Sequence, residues 1–368
     1  MENLEINMFS IYQHKKVFIT GNTGFKGSWM AAMFHSLGVT VEGYALPPTT
    51  EPSHFSLLNL NYKTTFGNIL DAASLETAIS DAQPEIIFHL AAQALVKPSY
   101  TDPVNTYQTN VIGTLNLLEA ARKCRSVKAV VLITTDKVYE NKEWNRPYSE
   151  DDVLGGYDMY SSSKACCEIL IKSYRDSFLN INDYGRKHHM LIASARAGNV
   201  IGGGDWSVDR LIPDIAIATS NNRKVKIRNR LSVRPWQHVL DCIYGYLLLG
   251  KKLLEEDTAF AEAWNFSPYS TEVKNVEQVA AIAKATWDSI DIEFGASEDA
   301  VHEAGLLILD NTKAVTRLQW RPVWNTTEAV EKTIQWYQQW YNNTAVPSEE
   351  QLSEYLQKLA DLNEAVVN

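Results

Sequence analysis

The sequence predicts an α/β protein, a doubly wound parallel sheet with a smaller, interleaved C-terminal α/β lobe. Three observations predict it. A short apolar strand at residues 17–20 runs through glycines into a helical repeat. Apolar strands and helical periodicities then alternate as far as residue 195, which is the signature of parallel strands with helices on both faces. From Gly202 the alternation loosens, and 368 residues exceed the roughly 250–300 at which one core tends to split, so two lobes are expected.

The elements follow in order. Met30, Met33, Phe34 and Leu37 recur at i, i+3, i+4 and i+7 and define the first helix, which Gly38 ends. Residues 39–44 read as the second strand, and a helical segment after Asp71 leads to a strand at 86–90. A helix at 111–122, a strand at 129–134, a helix at 160–178 and a strand at 191–195 continue the pattern. A Gly/Asp/Arg-rich loop follows Gly202, then a short strand at 225–228 and helices near 273–287 and 327–341. Residues 348–368 carry Leu352, Tyr355, Leu356, Leu359 and Leu362 at helical spacing, an amphipathic tail. These elements divide the chain into a sheet domain at 11–200, to which 239–268 return, a second lobe at 201–238 and 269–345, and the tail at 346–368.

Composition narrows the function. Hydrophobic residues are 45% and charged residues 21%, with no run near the ~20 apolar residues of a membrane span. The first residues lack the basic, apolar and small-residue pattern of a signal peptide, so a cytoplasmic protein is expected. A formal net charge of −10 argues against nucleic acid as a partner. Cys124, Cys166, Cys167 and Cys242 have no zinc-like spacing; they are expected to be reduced and mostly buried, with no metal site.

Three motifs carry chemistry. Gly21-Asn22-Thr23-Gly24-Phe25-Lys26-Gly27 is G-x-x-G-x-x-G between strand and helix, where backbone and helix N-terminus can approach a pyrophosphate. After the second strand stand Ala45-Leu46-Pro47-Pro48, with no acid for a ribose 2′-hydroxyl, which leaves NAD and NADP both open. Tyr160 and Lys164 lie one helical turn apart, so the ammonium is expected to lower the phenol pKa and make Tyr160 a general base. Thr134-Thr135-Asp136-Lys137 closes a strand at the end where such sheets bind ligands, although a turn or cap would use the same residues. Arg210 and Arg234 are candidates for a diphosphate, whose oxygens match a guanidinium fork.

Together these residues resemble the extended short-chain dehydrogenase/reductase family, with its Rossmann-type domain, and within it the nucleotide-sugar 4,6-dehydratases, those acting on CDP-glucose above all. The resemblance runs from about residue 16 to residue 341. It rests on the block from Thr20 to Trp29, on His89-Leu90-Ala91-Ala92-Gln93, on Thr135-Asp136-Lys137, on residues 195–206, and on Arg234-Pro235-Trp236-Gln237-His238-Val239. Residues 309–322 look like a C-terminal signature shared more widely in the family.

The resemblance implies an NAD that is reduced and reoxidised within one turnover. Gly21, Thr23, Gly24, Phe25, Lys26 and Gly27 would hold it, with Asn68, Ile69, Leu90, Ala91, Ala92, Thr109, Tyr160 and Lys164. Asn68 stands where the family usually places an acid for the adenosine. Gln93, Asn199, Arg210, Arg228, Arg234 and Asn265 would contact a nucleotide-diphosphate hexose. Tyr160, helped by Lys164 and Thr135, would take the C4 hydroxyl proton, and Asp136 and Lys137 would expel water across C5 and C6. The product would be a 4-keto-6-deoxy sugar for deoxysugar and O-antigen polysaccharide assembly. A lysine must be neutral to act as base, and an adjacent carboxylate opposes that, so Lys137 reads equally as an electrostatic clamp. A homodimer through the helices at 111–122 and 160–178 is also implied. The alternatives are a nucleotide-sugar 4-epimerase, which does not need the Asp136-Lys137 pair, and a non-catalytic scaffold, which would not need Tyr160 and Lys164.

Overall fold

The computed structural model describes residues 8–227, 229–295 and 305–367. Seven strands form its main sheet: β1 (Lys16–Thr20), β2 (Thr40–Ala45), β3 (Lys63–Phe66), β4 (Ile86–His89), β5 (Ala129–Ile133), β6 (Leu191–Ala197) and β7 (Ala263–Phe266). Their order is β7-β6-β5-β4-β1-β2-β3 and every pairing is parallel. The chain reverses direction across the sheet between β1 and β4, so the loops leaving these strands diverge and open a crevice at their carboxyl ends.

Alternation along each strand feeds two cores. Val17, Ile19, Ile86, Phe88 and Val131 join one cluster, whereas Phe18, Ile87, Val130 and Leu132 join the other. Because both faces are covered, the strands read as unbroken apolar runs. Among the described residues nine long helices complete the layers: α1 (Phe25–Ser36), α2 (Ala72–Ala82), α3 (Gly113–Lys123), α4 (Met159–Asp176), α5 (Leu211–Ser220), α6 (Val239–Leu254), α7 (Val276–Thr286), α8 (Thr326–Asn343) and α9 (Ser348–Val367). Leu75 and Ile79 of α2, Leu117 and Leu118 of α3 and Ile171 of α4 build one core; α1, α6, α8 and α9 contribute to the other.

Of the elements that differ from the sequence reading, three helices do so for plain physical reasons. The helix expected at 111 begins earlier, because Pro103–Tyr107 and a π-helical stretch, Gln108–Ile112, lead directly into α3. Helix α5 lies in the stretch read as loop: Pro213 looks like a breaker, yet it stands in the first turn, where no intrahelical N–H bond is lost. Helix α6 was hidden because it is apolar on almost every side, with twelve buried residues between Val239 and Leu253, and so has no polar face to mark a period. Beyond the main sheet, two-stranded ribbons pair Val200–Ile201 with Gln237–His238, Val225–Ile227 with Ile292–Phe294, and Val233–Arg234 with Lys274–Asn275.

Helix α9 closes over α6 and α8. Its Tyr355 hydroxyl donates to Asp241 Oδ1 at 2.9 Å, and the Val323 N–H donates to the same oxygen at 2.7 Å. Asp241 is fully buried, its Oδ2 has no partner among the described residues, and burial pushes its pKa up to about 7. The folded state therefore holds this proton more tightly than the unfolded chain, whose aspartates titrate near ~3.9. Its contribution to stability is complete below that value and lost as pH rises through about 7. Asp241→Asn, fixed in the neutral state, is expected to gain on the wild type in Tm between about pH 5 and about pH 8. Melting curves of both proteins across that range check it; parallel curves would remove Asp241 as the cause.

Candidate active site

The crevice at the carboxyl ends of the strands is a cavity of 1230 Å³. One wall is built at the switch point. The Thr114 hydroxyl donates to Asn110 O at 2.6 Å, so its oxygen accepts from His89 Nε2 at 3.1 Å, which leaves His89 Nδ1 to accept from the Thr20 hydroxyl at 2.7 Å. Burial drives His89 down to about 3, which keeps it neutral, as this chain requires. Thr20 in turn accepts from the Ala91 N–H at 3.3 Å, joining the loops after β1 and β4.

Between β1 and α1 the glycine loop folds back on itself. A Cβ on Gly27 would stand 2.1 Å from Gly21 O, so only glycine permits the first turn of α1 to pack this close. The result is a helix N-terminus facing the cavity across a bare backbone, a cradle that fits a dinucleotide diphosphate. Thr23 donates from its hydroxyl to Leu46 O at 2.8 Å and ties the loop to the end of β2. Gly21, Thr23, Gly24, Phe25, Lys26, Gly27, Asn68 and Ile69 all line the cavity, as do Leu90, Ala91, Ala92 and Thr109. Asn68 Oδ1 already accepts from the Leu70 N–H at 3.0 Å. Lys26, half-buried in the first turn of α1, brings a cation within electrostatic reach of Arg210, Asp136 and Lys164, and desolvation lowers its pKa.

The opposite wall joins the end of β5 to α4. Asp158 caps α4, accepting from the Ser161 N–H at 2.8 Å and the Ser161 hydroxyl at 2.7 Å. Tyr160, Lys164 and Glu168 then follow at one-turn spacing along one buried face. Glu168 accepts from Thr134 Oγ1 at 2.5 Å, Ser194 Oγ at 2.8 Å and Arg196 Nη2 at 2.8 Å, and these contacts hold its carboxylate ionised with a lowered pKa despite burial. Next to Thr134, the Thr135 hydroxyl donates to Asp136 Oδ1 at 3.0 Å. Asp136 Oδ2 is buried with no hydrogen-bond partner among the described residues. Desolvation raises the Asp136 pKa, against the pull of Lys137, Thr135, Arg234 and Lys26.

One expectation is corrected here. Lys164 is not among the groups that chiefly set the Tyr160 pKa; its ammonium donates to Ile133 O at 3.1 Å. Burial pushes Tyr160 up to about 12, and what opposes this is its hydrogen bond with Thr135 and the charge of Arg210. Lys164 is itself lowered by desolvation. Both groups are thus moved toward their neutral forms.

Thr135, Asp136, Lys137, Tyr160 and Lys164 come together in the one cavity, and Asn199, Arg210 and Arg234 line it as well. Gln93 lines it with a side chain turned away: Oε1 accepts from the Leu95 N–H at 2.6 Å, and Nε2 donates to Leu95 O and Thr106 Oγ1, each at 3.0 Å. Its amide is consumed in shaping its own loop. Asn265 does not reach the cavity; fully buried on β7, it donates to Tyr148 O at 2.9 Å and Asp310 O at 3.2 Å and accepts from Tyr139 at 2.7 Å. Arg228 lies outside the described residues. The sequence reading missed Glu168, although its place one turn beyond Lys164 on the same face was a usable signal. It also missed Asp205 and the ion pair of Lys97 with Asp209, which joins two walls of the cavity from distant parts of the chain and left no local trace.

Residues 18–333 match the family model described as GDP-mannose 4,6 dehydratase. The CDP-glucose 4,6-dehydratase of Salmonella typhimurium is 43% identical over 94% of this chain and 98% of its own length. Among solved structures, DesIV, a dTDP-glucose 4,6-dehydratase from Streptomyces venezuelae with NAD and TYD bound, superposes with a TM-score of 0.74 at 20% identity, covering 88% of this chain and 97% of that one. The UDP-glucose 4-epimerase of Thermus thermophilus, complexed with NAD, gives a TM-score of 0.75 at 22% identity over 88% of this chain and 99% of its own.

Gly27→Ala is expected to weaken dinucleotide binding by roughly tenfold or more, since the new methyl must displace the loop backbone. Calorimetric titration with NAD checks this, with far-UV circular dichroism as the control for folding; wild-type affinity would refute the cradle.

Proposed function

The chain belongs to the GDP-mannose 4,6 dehydratase family, and from that membership we propose that it is an NAD-dependent hydro-lyase converting CDP-D-glucose to CDP-4-keto-6-deoxy-D-glucose. The observation that carries this reading is the meeting of Tyr160 with Asp136 and Lys137 in one cavity, in a chain 43% identical to a CDP-glucose 4,6-dehydratase. Fold likeness alone would serve an epimerase equally, because both kinds of enzyme superpose on it.

The glycine loop and the start of α1 hold the cofactor diphosphate, Asn68 and Ile69 the adenosine end, and Tyr160 and Lys164 the nicotinamide end. Ala45, Leu46, Pro47 and Thr49 line the edge beyond β2, and none offers a cation for a 2′-phosphate, which supports NAD over NADP. Bound NAD supplies a hydride acceptor for C4 that returns the hydride to C6. Tyr160 must first ionise, helped by its hydrogen bond with Thr135 and by the charge of Arg210, with Lys164 one turn below; as phenolate it takes the C4 hydroxyl proton. The ketone formed at C4 makes the C5 hydrogen acidic. Asp136, held toward its neutral form by burial, donates its proton to the departing C6 hydroxyl. A protonated Asp136 no longer favours the charged form of its neighbour, so Lys137 is freed to take the C5 proton. Arg210 and Arg234 clasp the nucleotide diphosphate.

We place this activity in the cytoplasm; no described helix is long and apolar enough to cross a membrane. A homodimer is supported by the exposed apolar side chains Val104 and Ile112 on the N-terminal extension of α3 and Ile169 on α4.

Turnover of CDP-glucose in deuterated water tests the assignment. Deuterium is expected at C5, with the C4 hydrogen recovered at C6, by NMR of the product; a C4 epimer that retains its C6 hydroxyl would refute it. Tyr160→Phe should lower kcat by about 10²–10⁴, the range for loss of a general base. Steady-state rates near wild type would exclude Tyr160 from the chemistry.

A further inference from the structure

The loop from Gly202 to Arg210 is a closely packed platform that ends in a half-exposed cation. Gly203 packs so closely under Trp336 that a Cβ would stand 2.0 Å from the indole, and its carbonyl accepts from Trp29 Nε1 at 2.8 Å. The Tyr337 hydroxyl holds both backbone groups of Asp205, accepting from its N–H at 3.0 Å and donating to its carbonyl. Trp206 packs edge-on against Trp336, Tyr337 and Trp340 and donates to the Tyr341 hydroxyl at 3.2 Å. Immediately beyond, the chain is exposed, with Val208 facing solvent.

Asp205 stands on the border between the two regimes. Its side chain is 5% exposed and lines the cavity, Oδ1 accepts from the Ser207 N–H at 3.0 Å, and Oδ2 lies 3.7 Å from Nε of Arg210, whose own side chain is 35% exposed. A buried carboxylate is out of place in a cavity that must accept a polyanion, since like charges repel and little water screens them. Left to itself Asp205 would weaken nucleotide binding. The contact offsets the conflict: at 3.7 Å, an ion pair and not a hydrogen bond, the carboxylate lies on the Nε side of the guanidinium, keeps the cation at the cavity wall and does not take up its outer nitrogens.

We infer that Asp205 is the positioning residue of Arg210, anchoring its guanidinium to the aromatic platform so that the outer nitrogens meet the substrate diphosphate. This rests on the reading of Arg210 as a diphosphate ligand and deepens it. The sign of the effect separates the inference from its opposite, because removing a mere repulsive charge would tighten binding.

The test is a double-mutant cycle on the full-length protein, with CDP and inorganic diphosphate titrated by calorimetry and CDP-glucose turnover measured alongside. Asp205→Asn keeps an acceptor for Ser207 and removes the charge. It is expected to raise the Kd for CDP roughly tenfold and KM in parallel, with kcat within about twofold of wild type. In an Arg210→Ala background the same change should leave Kd within about twofold, as required of a residue that acts through its partner. Unchanged or tighter binding by Asp205→Asn overturns the inference, as does an equal loss in both backgrounds. A wild type that takes up neither CDP nor inorganic diphosphate overturns it too. If instead CDP-glucose binds without being dehydrated, the proposed reaction fails while the Kd comparison stands.

Discussion

A single buried carboxylate governs where the chemistry sits. Glu168 reaches from α4 to Thr134 at the end of β5 and to Ser194 and Arg196 on β6, so one anionic group fixes the helix against two strands. Arg196 passes the constraint on, donating to the Tyr139 hydroxyl at 2.8 Å and to Glu150 O at 3.1 Å, and Tyr139 donates to Asn265 on β7. Ion pairs buried this deeply add little net stability when complete, yet losing one partner strands a charge and costs about 3–5 kcal/mol. The network therefore tolerates few arrangements. Thr135 and Asp136 follow Thr134 by one and two residues, and Lys164 and Tyr160 precede Glu168 by one and two turns, so all four inherit their positions from it.

Electrostatics inside the cavity follow from the same burial. Desolvation raises Tyr160 and Asp136 and lowers Lys164 and Lys26, so acids and bases alike are drawn toward their uncharged forms. Asp136, Lys164 and Lys26 are thereby moved toward the range in which protons exchange at small cost, whereas Tyr160 is carried away from it and depends on the hydrogen bond with Thr135 and the charge of Arg210 to ionise. The expectation that Lys164 acidifies Tyr160 treated the pair as if it stood in solvent. In the fold a carbonyl at the end of β5 takes the ammonium, and burial outweighs the neighbouring charge.

How much could be read beforehand depended on whether the signal was local. Strands β1, β2, β4, β5 and β6, the glycine turn and the Tyr160–Lys164 face were legible because each rests on spacing within one segment. Edge strand β3 escaped because Lys63, Thr64 and Thr65 are polar and its pattern is that of a surface. Gln93 and Asn265 look like ligand contacts in a linear reading. Whether an amide faces a ligand or its own backbone is decided by partners such as Thr106 and Asp310, which only the tertiary structure brings near. Asp205 and Arg210 lie five residues apart, but their relation is set by Tyr337 and Trp336, more than a hundred positions away.

The neutral imidazole of His54 links the two ends of the chain: Nδ1 meets Ser28 on α1 at 2.8 Å, and Nε2 meets Ser348 at the start of α9, also at 2.8 Å, across 294 positions of sequence. The residue that backs the start of α1 therefore takes one of its two partners from a helix 294 positions further along the chain. Shortening the chain before α9 would strip that partner away, so the firmness of the nucleotide turn depends on a segment that never touches the nucleotide.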